Sequence, residues 1–170
     1  TIEADNVTMT YGNSAQVSVK NASALHGAVS YSVTGGSDVI SVDLSGKITA
    51  LKSGTATVEI SAAGDSDYAA ATKSITVTVA KRTLTVKAAD KSAYIGEKLP
   101  ELTYQVTGLV TGDELTVKPM LEVKHAADVD PMKKVGEYEI GFKVAPAASA
   151  NYELTTATGK LTVSVRPVYV

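Results

Sequence analysis

The chain of 170 residues has no cysteine, no tryptophan and a single phenylalanine. Without thiols, neither a disulfide framework nor a thiolate metal site can form. With so little large aromatic surface, a core must be assembled from small and β-branched side chains. Val, Ala, Ser and Thr are abundant, and Val and Thr favour pleated, half-buried strands. No apolar run approaches the roughly 20 residues a membrane-spanning helix needs, so membrane insertion of this segment is not expected. Charge of one sign is also lacking: 16 Lys and Arg oppose 18 Asp and Glu, for a net charge of −2, and the basic residues are scattered. Nucleic-acid binding needs a clustered basic face, so nucleic acid is not an expected partner. Proline is missing from the first half; Pro100, Pro119, Pro131, Pro146 and Pro167 all lie in the second. The chain starts at Thr1 rather than Met and reads as an excised piece of a longer protein, so a missing targeting segment carries no information.

What is present is period-two alternation. Ala15–Lys20, Val29–Thr34, Thr55–Ile60, Ser74–Val79, Glu137–Val144 and Leu161–Val165 alternate apolar with polar residues. Alternation places one side of a strand in a core and the other in water. Turn signals such as TGGSD, LSGK, KSG, TGD and VGE separate the strands. No stretch sustains a helical period, and SDYAAATK is too short for more than one helical turn. Short strands at this spacing predict an all-β fold, an antiparallel sandwich or barrel.

The chain also repeats itself. Tyr68 and Tyr152 are 84 residues apart, as are Arg82 and Arg166, and TIEA (Thr1–Ala4) and TVKA (Thr85–Ala88). AVSYSVTG (Ala28–Gly35) matches ELTYQVTG (Glu101–Gly108), aligning Tyr31 with Tyr104. Tyr11 corresponds to Tyr94 with a one-residue slip. A repeat of this size is one small sandwich rather than a solenoid unit. Two tandem domains are expected, residues 1–81 and 82–167, with Val168–Val170 as the start of a following repeat. The joint near Ala80–Thr83 lacks Gly and Pro. That predicts a stiff end-to-end rod, with a radius of gyration above the roughly 15–16 Å of a compact chain this long. The second half is longer between matched positions: 32 residues from Tyr104 to Gly136 against 23 from Tyr31 to Gly54. The extra length falls in Leu109–Val135 and predicts an added or lengthened strand followed by a polar loop.

Within Ile40–Val79, Ser45-Gly46-Lys47-Ile48-Thr49-Ala50, Gly54-Thr55-Ala56-Thr57-Val58 and the closing Thr/Val strand resemble the bacterial Ig-like domain of group 2, as in invasin- and intimin-type surface proteins. AYIGEKLPELTYQVTGLVTGDEL and GEYEIGFKVAPAASANYELTTATGKLTVSV are similar to MBG-type repeats of large bacterial surface proteins. Both resemblances imply immunoglobulin-like sandwiches strung along an extracellular or secreted stalk or adhesin. They imply neighbouring Ig-like repeats as partners, a host-surface protein or a glycan as a candidate ligand, a monomeric segment, and no catalytic motif.

Candidate chemistry weighs against an enzyme. His26 (ALHGA) and His125 (VKHAADVD) have no nucleophile-elbow sequence to serve and read as loop histidines. Asp65 and Asp67, and Asp128 and Asp130, could offer oxygens to Ca²⁺, which takes 6–8 ligands; without a third ligand and a closing Glu they read as turn aspartates. The tyrosines, with Tyr138 and Tyr169, read as structural rather than as glycan platforms. Tyr68 and Tyr152 precede the last strand of each repeat, where a ring can pack over the core edge and bond a backbone group. Lys87 could enter an isopeptide crosslink only if buried beside an Asn. Asn6-Val7-Thr8 and Asn21-Ala22-Ser23 are formal glycosylation acceptors. Thr34–Asp38 reads as a hairpin turn, not a phosphate loop. No catalytic residue, metal ligand or cofactor is assigned. A stalk segment that presents a distal module is the expectation; the alternative is an accessory, carbohydrate-binding module of a carbohydrate-active enzyme.

Overall fold

In the computed structural model, residues 1–168 are described. The chain divides into two compact units, Thr1–Arg82 and Thr83–Val170. Tyr169 and Val170, most of the segment expected to open a third repeat, lie outside the described residues, and Val168 is exposed.

Unit 1 comprises β1 (Val7–Thr10), β2 (Ser14–Gln16), β3 (Val29–Gly35), β4 (Ile40–Val42), β5 (Lys47–Ala50), β6 (Gly54–Ala62) and β7 (Ala71–Ala80). One sheet runs β1-β7-β6-β3 and the other β2-β5-β4. The core between them is aliphatic, with Val58, Ile60, Ile75 and Val77 from the first sheet against Ile40, Ile48 and Val17. The alternation in GTATVEISA and ATKSITVTVA explains this: Ala56, Val58, Ile60 and Ala62 face inward, as do Ile75, Val77 and Val79. They meet as cross-strand pairs, Ala56 opposite Val77 and Val58 opposite Ile75, the contacts that stabilise a sheet.

Unit 2 contains β8 (Arg82–Ala88), β9 (Lys91–Tyr94), β10 (Tyr104–Thr107), β11 (Met120–Val123), β12 (Gly136–Val144), β13 (Tyr152–Ala157) and β14 (Gly159–Ser164). Its sheets are β10-β8-β13 and β11-β12-β14-β9. Ala88 from the first and Ile140, Leu161 and Val163 from the second meet in the core. Single 3-10 turns at Ala22–Ala24 and Pro131–Lys133 are the helical segments among the described residues.

The four-stranded sheet is built twice in the same register. β1 lies parallel to β7 with Val7 opposite Val77, and β9 lies parallel to β14 with Lys91 opposite Leu161, each position shifted by 84. β6 pairs β7 with Gly54 opposite Val79, and β12 pairs β14 with Gly136 opposite Val163. Each four-stranded sheet thus holds one parallel pair, and its other pairs are antiparallel.

Several expectations are corrected. β3 pairs β6 with Val33 opposite Val58, and β11 pairs β12 with Val123 opposite Ile140. The counterpart of β3 is therefore β11, not the Tyr104 segment, which pairs β8 in the other sheet. Tyr31 and Tyr104 are not equivalent, and β11 is no added strand. Thr34–Asp38 joins β3 to β4 in the opposite sheet, so it is a crossover rather than a hairpin turn. Ala15–Lys20 is interrupted: Ala15 pairs Ile48 in the second sheet, while Val19 bridges Ala4. SDYAAATK, as its shortness leads us to expect, forms no helix and is loop running into β7. The second layers differ outright, β2-β5-β4 in one unit and β10-β8-β13 in the other.

Candidate functional site

Four groups of side chains stand out. The first surrounds the parallel strand pair and recurs in both units. Just before β1, Asn6 Oδ1 accepts from Thr76 N at 2.8 Å; just before β9, Asp90 Oδ1 accepts from Lys160 N at 2.9 Å. Just after β1, the chain turns at Gly12 (φ 87), and after β9 at Gly96 (φ 83). Asn13 N donates to Thr10 O at 3.0 Å, and Glu97 N to Tyr94 O at 3.1 Å. Arg82 then reaches Asn13 Oδ1 at 3.4 Å, whereas Arg166 reaches Glu97 Oε1 at 2.8 Å and lies over the Tyr94 ring at 5.4 Å. The recurring arginine therefore clasps the turn that follows the parallel strand. Asn6/Asp90 and Asn13/Glu97 keep their spacing but change residue type, which hides them from letter matching.

The second group centres on Tyr152, which is 6% exposed. Its hydroxyl accepts from Val110 N at 3.0 Å and donates to the Asp113 carboxylate. The ring closes the core edge while the hydroxyl ties down the TGD turn, as expected from its position before the closing strands.

The third group corrects the reading of Tyr68. It is 57% exposed and packs over no core edge. Its ring instead stacks on His26, with centroids 3.6 Å apart and planes 7° from parallel. His26 Nδ1 lies 3.0 Å from Asp65 Oδ2. Asp65 Oδ1 accepts from Asp67 N and Tyr68 N, each at 2.9 Å, and Asp65 N donates to Tyr68 O at 2.8 Å. The Asp67 amide foremost, helped by the Tyr68 amide and His26, holds the Asp65 carboxyl below the ordinary aspartate range. Asp65 thus organises a turn, and its second oxygen faces His26.

The fourth is a groove of about 420 Å³ beside β11, lined by Leu99, Leu102, Leu121, Val123, Met132 and His125 among others. In unit 1, β4 and β5 follow β3 and bury Ile40 and Ile48. In unit 2, β11 is followed only by a polar loop and the 3-10 turn at Pro131. Leu121, Val123 and Met132 stay half-buried.

The remaining candidates are placed as follows. His125 Nδ1 lies 2.8 Å from Ala126 O. Asp130 caps the 3-10 turn through Met132 N at 3.0 Å, and Asp128 is exposed. Among the described residues, no three His, Cys, Asp or Glu side chains converge as metal ligands. Lys87 is exposed, with its neighbours Val86 and Ala88 facing the core, so the buried lysine an isopeptide needs is not there. Asn21 holds the N-terminal segment through Glu3 N at 2.9 Å and Thr1 O at 2.7 Å. Tyr138 donates to Lys134 O at 2.7 Å. Tyr11 packs against the core of unit 1, whereas Tyr94 is exposed. Asp43, which the sequence reading passed over, organises the β4–β5 turn: its Oδ1 accepts from Ser45 Oγ at 2.7 Å and from Ser45 N and Lys47 N at 2.9 Å. The Ser45 hydroxyl first, then the Lys47 amide, holds its carboxyl low. Leu44 at that turn is 97% exposed.

Comparison with known proteins adds the following. No curated protein matches the sequence. Among solved structures, the chain is similar to fibronectin(III)-like modules of CbhA from Clostridium thermocellum, at 19% identity and a TM-score of 0.34, covering 97% of this chain and 94% of that one. It is also similar to the N-terminal four Ig domains of Dscam1 isoform 4.44, at 11% identity and a TM-score of 0.27, covering 96% and 46%. A third similarity is to zebrafish RET cadherin-like domains 1 to 4, at 10% identity and a TM-score of 0.25, covering 82% and 42%. A family model for the MBG domain (YGX type) matches residues 84–162, and so supports an MBG-type repeat in unit 2.

Proposed function

We propose that this chain is a non-enzymatic, load-bearing segment of a bacterial surface or secreted protein, spacing or presenting a distal module. Unit 1 serves in this reading as a group 2 bacterial Ig-like domain and unit 2 as an MBG-type repeat, with further repeats as neighbours. The observation that carries it is the parallel pairing of an early strand with the last strand in both units. Tension on the two ends of a unit pulls such strands past each other along their length. The bonds of Val7–Thr10 with Val77–Ala80 are then loaded together, and so are those of Lys91–Tyr94 with Leu161–Ser164. An antiparallel hairpin pulled at its ends opens bond by bond instead.

Single-molecule pulling on the chain tests this. Each clamp encloses a segment of equal length, Val7 to Ala80 and Lys91 to Ser164. At about 3.3–3.6 Å per extended residue, each release lengthens the chain by roughly 250 Å. Two discrete force peaks with equal steps are expected. Gradual extension without peaks overturns the load-bearing reading.

A further inference from the structure

We propose that the outward face of Tyr68, with the small hollow beside it, is a saccharide subsite that takes one neutral pyranose ring. Tyr152, at the matching place in unit 2, closes a core edge and anchors a turn. Tyr68 has been released from that duty: more than half of it meets solvent. Yet the ring is not loosely held. His26 backs one face at 3.6 Å, Asp65 fixes the loop through two amides, and Gly64 N donates to His26 O at 2.8 Å, joining the two loops. An aromatic ring ordered in advance binds at lower entropic cost.

The hollow measures about 280 Å³ and is floored by Ala24, Ala62 and Ala69–Ala71, with Leu25, His26 and Tyr68 around it. That lies at the lower bound of ligand pockets, suited to one ring rather than an extended molecule. The ligand class follows from what the patch offers. His26 Nδ1 lies 3.0 Å from Asp65 Oδ2, so the Asp65 carboxylate is engaged within the loops rather than presented to a ligand. The exposed Tyr68 face carries the negative side of the ring quadrupole and suits the weakly positive C–H face of a pyranose. Its hydroxyl can serve a sugar hydroxyl. This subsite goes beyond the load-bearing reading and is independent of it.

The test is an amide-resolved NMR titration of the whole chain with cellohexaose, xylohexaose and mannohexaose, with choline chloride in parallel. At least one saccharide is expected to shift residues 24–28 and 64–71 with a Kd of about 1 mM or tighter. Tyr68→Ala should weaken that binding roughly tenfold or more, while Tyr68→Phe retains it. His26→Ala removes the backing ring and should weaken it as well, a second check should Tyr68→Ala misfold. No shift with any of the three sugars overturns the proposal. So does binding that Tyr68→Ala leaves intact, or a response to choline alone.

Discussion

Tyr152→Phe and Tyr68→Phe remove the same hydroxyl from matched places in the repeat, and their effects should differ sharply. Phenylalanine keeps the Tyr152 ring in the core but takes away the acceptor for Val110 N and the donor to Asp113. A neutral bond is worth about 0.5–1.5 kcal/mol net, one to a charged group about 1.5–3, and an orphaned buried donor costs more still. Val110 and Asp113 are only half-buried, so water recovers part of the loss, leaving about 2 kcal/mol. For a unit of this size that lowers the melting midpoint by roughly 8–16 °C. Tyr68→Phe, at an exposed ring, should stay within about 0.5 kcal/mol. Differential scanning calorimetry of each variant, with the two unfolding transitions assigned by single-unit chains, reads both numbers. Equal shifts in the two units would refute the reasoning, because they would mean that repeat position, not the contacts around each hydroxyl, sets the cost.

Three further outcomes follow from the same geometry. Asn6→Ala should destabilise unit 1 by about 1 kcal/mol by orphaning Thr76 N–H, and Asp90→Asn should leave unit 2 nearly unchanged because Lys160 N keeps its acceptor; urea unfolding curves measure both. Gly46→Ala places a Cβ 2.9 Å from the Tyr31 ring at a φ of +85, and should cost about 2 kcal/mol in the same assay, since the left-handed conformation alone costs about 1–2. Asp43, held low by Ser45 and Lys47, stabilises the β4–β5 turn when ionised. That contribution is present above the unfolded aspartate value and is lost as pH falls below about 4. The difference in melting midpoint between the wild type and Asp43→Ala should therefore be full at pH 7 and shrink on acidification.

The strands themselves were legible because alternation survives in short windows: Ile75, Val77 and Val79 face inward as their spacing demands. Strand partners were not. SYSVTG and TYQVTG share letters because any short half-buried strand before a glycine turn looks alike, yet one pairs β6 and the other β8. Local sequence records which side of a strand is apolar, not which neighbour it will find. Tyr68 misled for a related reason. What buries Tyr152 is the distant Val110–Asp113 turn and the strand that begins at Tyr152 itself, whereas in unit 1 Tyr68–Ala70 are loop and β7 begins only at Ala71. The Asn6/Asp90 pair lay in plain view at the repeat spacing, but the two residue types share only an acceptor oxygen, so chemistry rather than identity would have found it.

The duplicated register also bears on folding fidelity. β1 and β9 have equivalent partners, so while the chain is still unfolded either could dock beside β7 or β14. Misassembly between similar neighbours is a characteristic failure of tandem repeats. The inward positions of the two strands differ in size: Met9 is buried in β1, and Ala93 occupies the matching place in β9. Alanine in the methionine site would leave a cavity costing about 2–5 kcal/mol. The volume of one side chain thus works as an address label that returns each strand to its own half of the chain.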